Sequence, residues 1–112
     1  NKMKLNLLKK LKIKVIKISL DEFGNLDLKE VLINLKKLGF SRVFLESGIK
    51  LTSSFLKNNL VDDFKLFISG NNIGKLGMGN IKNFLNSHLK NVKKETEKVN
   101  LLGDNLISYK LK

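Results

Sequence analysis

The 112-residue chain contains no cysteine, no proline and no tryptophan, and His88 is its only histidine. Without thiols there is no disulfide and no thiolate-bound metal, a usage that suits a reducing compartment. A lone histidine excludes a histidine-based zinc site built from this chain. No apolar run approaches the ~18 residues that a membrane-spanning helix needs. The opening residues interleave lysine with aliphatics instead of forming a long apolar segment, so no secretory leader is expected there. Arginine is nearly missing as well: Arg42 stands alone, and lysine supplies all the other basic residues, 22 in total. Base-reading contacts and bidentate phosphate clamps favour the guanidinium fork, which this chain scarcely has.

What is present in excess is lysine. The formal net charge is +12, beside 42% apolar and 29% charged residues. The apolar and charged shares are those of an ordinary globular protein. General attraction to polyanions follows from the charge. A dedicated nucleic-acid function does not, because lysine accompanies abundant asparagine and isoleucine in a pattern that reads equally as a composition bias. A chain of this size makes one domain or part of one and buries about two-thirds of its surface. Its first residue is Asn1 and its opening looks strand-like, so residues 1–112 are expected to be a single partial domain, a piece of something longer.

Residues Lys9 to Ile18 alternate Leu11, Ile13 and Val15 with Lys10, Lys12 and Lys14, and Ile16 and Ile18 continue out of phase. β-branched residues at the centre favour a strand over a basic amphipathic helix on a membrane. Asp21 to Asn25 is a polar turn. Asp27 then precedes Leu28, Val31, Leu32, Leu35 and Leu38 at helical spacing, with Glu30 placed for a capping box and Gly39 for a stop. Phe40 to Leu45 is a near-continuous apolar run, as in a strand covered on both faces. A second helix follows and ends near Asn58 and Asn59, and Phe64 to Ile68 gives a third strand. Strand, helix, strand, helix, strand at this spacing implies parallel pairing through right-handed crossovers. The glycine-rich stretch Ser69 to Asn80 is a surface loop or a cover for a ligand, and it lacks the Lys-Ser/Thr of a P-loop. A short helix containing Ile81, Phe84 and Leu85 is expected next. Lys93 to Asn100 and Asn105 to Leu111 then form an antiparallel hairpin, with Ile107, Tyr109 and Leu111 on one side and Ser108, Lys110 and Lys112 on the other.

The chemistry centres on Glu46-Ser47-Gly48, between the apolar run and the second helix. Glycine either turns the chain there or lets backbone N–H groups approach an anion at the helix start, where the dipole favours negative charge. Glu46 is expected to end a buried strand at the carboxyl edge of the sheet, where ligands of open α/β sheets bind. It is either an acceptor for nearby N–H groups or a substrate contact. The other acids belong to turns and a helix start. Thr52, Ser53 and Ser54 have no histidine near them in sequence, so nucleophilic catalysis is not expected.

The order Leu26-Asp27-Leu28, a leucine-rich helix, Gly39, Val43-Phe44-Leu45-Glu46-Ser47-Gly48, Leu51, Phe55-Leu56, Leu60-Val61-Asp62-Asp63 and Leu66-Phe67-Ile68 resembles the riboflavin-biosynthesis reductase domain. That domain is the C-terminal part of the bifunctional RibD deaminase–reductase, and its fold is dihydrofolate-reductase-like. Leu102-Gly103-Asp104-Asn105-Leu106 and the strand with Tyr109 are similar to the family's closing hairpin. The likeness runs from about Val15 onward. It implies an α/β fold with a mixed, mostly parallel sheet, flanking helices and a C-terminal antiparallel hairpin. It implies a cytoplasmic enzyme that uses NADPH to reduce 5-amino-6-(5-phosphoribosylamino)uracil, a pyrimidine carrying a ribose phosphate, to the ribitylamino form. Carried over by position, Ser47 and Gly48 would meet the cofactor's phosphates through backbone N–H groups, Ile49 and Lys50 would open the helix, and Glu46 would lie near the substrate ribose or the nicotinamide. No catalytic acid is assigned. The family's first motif glycine is Ser47 here, and its usual Ala-Pro-Lys is replaced by Ser69-Gly70-Asn71, so no role is transferred to that loop. The family's earlier strands and zinc deaminase domain are not in this sequence, and the 112 residues alone are expected to turn over substrate poorly. Two other readings stand beside this one. The first is a non-enzymatic lysine-rich module for nucleic acid or another polyanion. The second is a homo-oligomer paired through a sheet edge at Lys9 to Ile18.

Overall fold

A computed structural model describes residues 2–71, 74, 82–99 and 103–112. The chain divides into two compact units, Asn1–Phe44 and Leu45–Lys112.

The first unit holds helices α1 (Lys2–Lys10) and α2 (Leu28–Lys37). Between them the chain folds back in a tight turn. Asp21 Oδ1 accepts from the N–H groups of Phe23 and Asn25 at 3.0 and 2.7 Å, and Leu20 bridges Leu26 in antiparallel fashion. Asp27 caps α2, its side chain accepting from the N–H groups of Lys29 and Glu30 at 2.9 and 3.0 Å. Glu30 does not close the expected capping box. Its Oε2 accepts instead from the Ser19 N–H at 2.8 Å, and Ser19 O takes the Asp27 N–H at 3.0 Å, so the acid ties the returning chain to the helix start.

The expected strand at Lys9–Ile18 is corrected by the structure. Its first residues complete α1, where the Leu and Lys content of residues 2–10 favours a helix. The β-branched residues begin only at Ile13, after the helix has ended, and 13–19 enter no ladder. The sheet edge proposed there for pairing copies is therefore absent. Residues 40–45 form no strand either. Among the described residues no neighbouring strand pairs with them, and Phe44 is 85% exposed, so the apolar run lacks the two covered faces it would need.

The second unit contains α3 (Ile49–Lys57), β1 (Asp63–Ile68), α4 (Lys82–Leu89), β2 (Lys94–Lys98) and β3 (Asn105–Lys110). Its sheet has the order β1-β3-β2 and both pairings are antiparallel. The mostly parallel sheet is thus also corrected, because the two earlier strands it required do not enter the ladder. Register decides the faces. Phe64 opposes Tyr109 and Leu66 opposes Ile107, and that side receives the helices. Leu56 of α3 and Leu85 and Leu89 of α4 are buried there against Val61, Phe64, Leu66, Val92, Tyr109 and Leu111. The Phe64 and Tyr109 rings lie 6.1 Å apart at a tilt of 44°, a favourable cross-strand pair. The opposite side is polar, where Lys65 Nζ donates to Ser108 Oγ at 3.0 Å. The expected hairpin and its facing are as read from the sequence. The loop Ser69 to Asn80 falls largely outside the described residues, as do Ile81 and residues 100–102 of the hairpin connection.

The three helices α1, α2 and α3 end alike. A residue with positive φ (Lys12 at 55°, Gly39 at 94°, Asn59 at 53°) donates to the carbonyl three back, and the next N–H reaches five back. This is the Schellman arrangement. Glycine and asparagine adopt the left-handed region readily, whereas lysine is strained there. Replacing Lys12 by Gly should therefore stabilise the chain by roughly 0.5–1 kcal/mol, measured by urea unfolding. Gly39→Ala should destabilise it by about 1 kcal/mol through the backbone alone, since a Cβ there meets nothing within 4 Å. Loss of stability in Lys12→Gly would show that Lys12 does not carry the helix end. Leu89→Ala, by emptying the centre of the second unit's core, should cost about 2–5 kcal/mol in the same assay.

Candidate functional site

Glu46 to Lys50 lead into α3, and all five are exposed. The helix itself is held from its far end, where Phe55 and Leu56 are buried. Its start is therefore fixed in place while facing solvent. Gly48 is the N-cap residue, with φ −67° and ψ 168°, and no side chain caps the helix. The first intrahelical bond from this end is the Thr52 N–H to Gly48 O, at 3.2 Å. The N–H groups of Gly48, Ile49, Lys50 and Leu51 consequently have no acceptor among the described residues.

The starts of α2 and α3 differ in kind. At α2 a carboxylate caps two N–H groups, and Glu30 adds a second acid to the first turn. At α3 no side-chain oxygen takes the open donors, no acid occupies the first turn, and Lys50 adds positive charge to the positive end of the dipole. An anion placed there would gain about 0.3–1 kcal/mol from the dipole, plus the hydrogen bonds of the open donors. What this start can do chemically is hold a negatively charged group with main-chain N–H groups.

Gly48 adds to this. Its φ is one any residue adopts, and a Cβ built on it meets nothing within 4 Å. Neither backbone strain nor internal crowding requires glycine; as an N-cap residue it is favoured over residues with apolar side chains, and it leaves the space in front of the helix start open. Glu46 does not end a buried strand, because 40–45 lie outside the ladder and Glu46 is exposed. Among the described residues Glu46 takes part in no hydrogen bond or ion pair.

Ser47 carries a contact that its sequence position did not reveal. Its Oγ lies 3.0 Å from Thr52 Oγ1, and Thr52 Oγ1 also donates to the Ser47 carbonyl at 3.3 Å. The sequence carries no local signal for this contact, because it depends on how the chain enters the helix. His88 lies in the last turn of α4, 2.9 Å from Ser87 Oγ. Among the described residues no group of three His, Cys, Asp or Glu could hold a metal ion. No helix among them is long and apolar enough to cross a membrane. A shallow depression of about 260 Å³ lies over the polar side of the sheet, where Lys65 and Lys110 offset Glu95 and Glu97, and it does not include residues 46–50.

Comparison with curated proteins returns no match. The family model described as the RibD C-terminal domain matches residues 1–101, nearly the whole chain. With the Glu46-Ser47-Gly48 turn and open helix start inside the matched span, the chain belongs to the RibD C-terminal domain family, a reductase family of riboflavin biosynthesis.

Proposed function

We propose that the start of α3 is the phosphate-binding part of an NADPH site, and that the chain serves the reduction of 5-amino-6-(5-phosphoribosylamino)uracil to its ribitylamino form. The observation that carries this reading is the set of N–H groups at Gly48, Ile49, Lys50 and Leu51, left without acceptors on a rigidly anchored helix. Ser47 and Gly48 bring the backbone to the phosphates, Ile49 and Lys50 present the first-turn donors, and the Lys50 ammonium adds charge. Glu46, immediately before this turn, contacts a hydroxyl of the substrate ribose or the edge of the nicotinamide. NADPH supplies the hydride when bound; the protein binds and orients. Family membership supports the reductase class, and the open donors support the placement of the cofactor's anionic end.

The competing use of the same positive charge is unspecific capture of nucleic acid or another polyanion by the surface lysines. Titration of the chain with NADPH and with NADH, at low and near-physiological salt, separates the two. The expected result is saturable binding with a preference for NADPH that survives added salt. Weak binding of both dinucleotides, lost as salt rises, would overturn the cofactor reading in favour of lysine-driven attraction. Gly48→Val sharpens the test. Its Cβ-branched side chain fits the free chain but stands in the way of a bound phosphate. It should lower stability only by the modest cost of a poorer N-cap residue and weaken NADPH binding by about tenfold or more, which is ~1.4 kcal/mol.

A further inference from the structure

We propose that the polar face of the β1-β3-β2 sheet is where two copies of this chain meet, about a two-fold axis running parallel to β3. The inference is independent of the cofactor reading and concerns the side of the sheet that the helices do not cover.

Strand register makes this face a grid of three rows. In the first, Asp63 of β1 is opposed by Lys110 of β3, and Lys93, just ahead of β2, lies beyond it. In the second, Lys65 is followed by Ser108 and then by Glu95. In the third, Phe67 is followed by Leu106 and then by Glu97. The six charged side chains of the grid are exposed, and among the described residues no ion pair joins them. Lys65 Nζ donates to Ser108 Oγ at 3.0 Å, using one of its three donors.

Charge singles out the occupant. The chain carries a net +12, so two copies repel in most orientations. On this face Asp63, Glu95 and Glu97 balance the three lysines, and a second copy is not repelled. Charge also chooses the axis. Rotation about a line along β3 keeps the rows and lays β1 of one copy over β2 of the other. Asp63 then faces Lys93 of the second copy and Lys65 faces its Glu95, each contact made twice by symmetry. Leu106 meets its own mate on the axis, where the ring of Phe67, 57% exposed, gains apolar cover. The two Lys110 side chains also approach the axis, each beside its own cross-strand Asp63. An axis across the strands would instead set Lys65 on Lys65 and Glu95 on Glu95, which like-charge repulsion opposes. The shallow depression of about 260 Å³ on this face receives the long side chains of the facing copy. Three strands of about six residues cover roughly 15 by 20 Å, less than a stable complex buries, so the dimer is weak and forms with rising concentration.

The test is the mass of the chain in solution, read by sedimentation equilibrium at near-physiological salt across about two decades of concentration. The unmodified chain should move from monomer towards dimer as concentration rises. Lys65→Glu sets acid on acid twice and should raise the dissociation constant of the dimer about tenfold or more. The same change lowers the net charge of +12 by two, so general repulsion alone predicts tighter association, and the two accounts differ in sign. Glu95→Lys should weaken the dimer as Lys65→Glu does. Lys65→Glu/Glu95→Lys should restore it, because the two-fold places each reversed charge on the other. Asp63→Lys and Lys93→Asp, singly and together, give a second cycle on the first row, which decides if a variant of the first cycle does not fold. A chain that stays monomeric at every concentration overturns the inference. So does a dimer indifferent to Lys65→Glu, since the copies would then meet elsewhere, and so does damage that the double reversal fails to repair.

Discussion

The packing of Leu56, Leu85 and Leu89 onto the Phe64, Leu66 and Tyr109 face of the sheet is the contact on which the second unit depends. Those three leucines are its buried centre, and Leu56 sits near the C-terminal end of α3. Anchoring a helix at its far end leaves the near end both ordered and exposed. That combination is what a ligand-binding start needs, since an end that is free to move would lose affinity to the entropy of ordering. The same packing fixes the sheet's orientation. A register slip by one residue would turn Phe64, Leu66 and Tyr109 outward and bring Asp63, Lys65 and Lys110 against the leucines.

What was legible in the sequence was local. The α2 helix could be read from its 3.6-residue period, Asp27 and Gly39, because each of those signals acts within a turn or two of its own position. The hairpin of β2 and β3 could be read from the Gly103-Asp104 turn signal and the alternation of residues 105–111, and its facing is as expected. The expected parallel sheet is not there among the described residues, and its two earlier strands could not be judged from composition. The apolar runs 13–18 and 40–45 have strand composition, but a strand exists only with a partner, and partnership is a property of the whole assembly rather than of the run. α1 was missed for a related reason. Lysine alternating with leucine satisfies a period of two over a few residues, while its helix-forming propensity acts without any partner and prevails from Lys2 to Lys10.

The candidate site divides the same way. The turn residues Glu46 to Lys50 could be picked out because a small Gly-containing step before a helix is a one-dimensional signal. Thr52 could not, because its contact with Ser47 depends on how the chain enters the helix. The sense of the charge was legible too, but not its distribution. A count of +12 does not reveal that acids gather at α2 and are missing from the first turn of α3. Local contrast, and not net charge, distinguishes the two helix starts.

The donors at the α3 start belong to the main chain, and this bears on how such a protein tolerates a drifting composition. A side-chain phosphate clamp is lost when its arginine codon changes, and this chain has only Arg42. A main-chain donor has no codon of its own. It is specified by where the helix begins and by the smallness of what precedes it, so a large share of surface residues can drift toward lysine and asparagine without erasing it. Recognition held in the backbone is inherited with the fold rather than with the side chains.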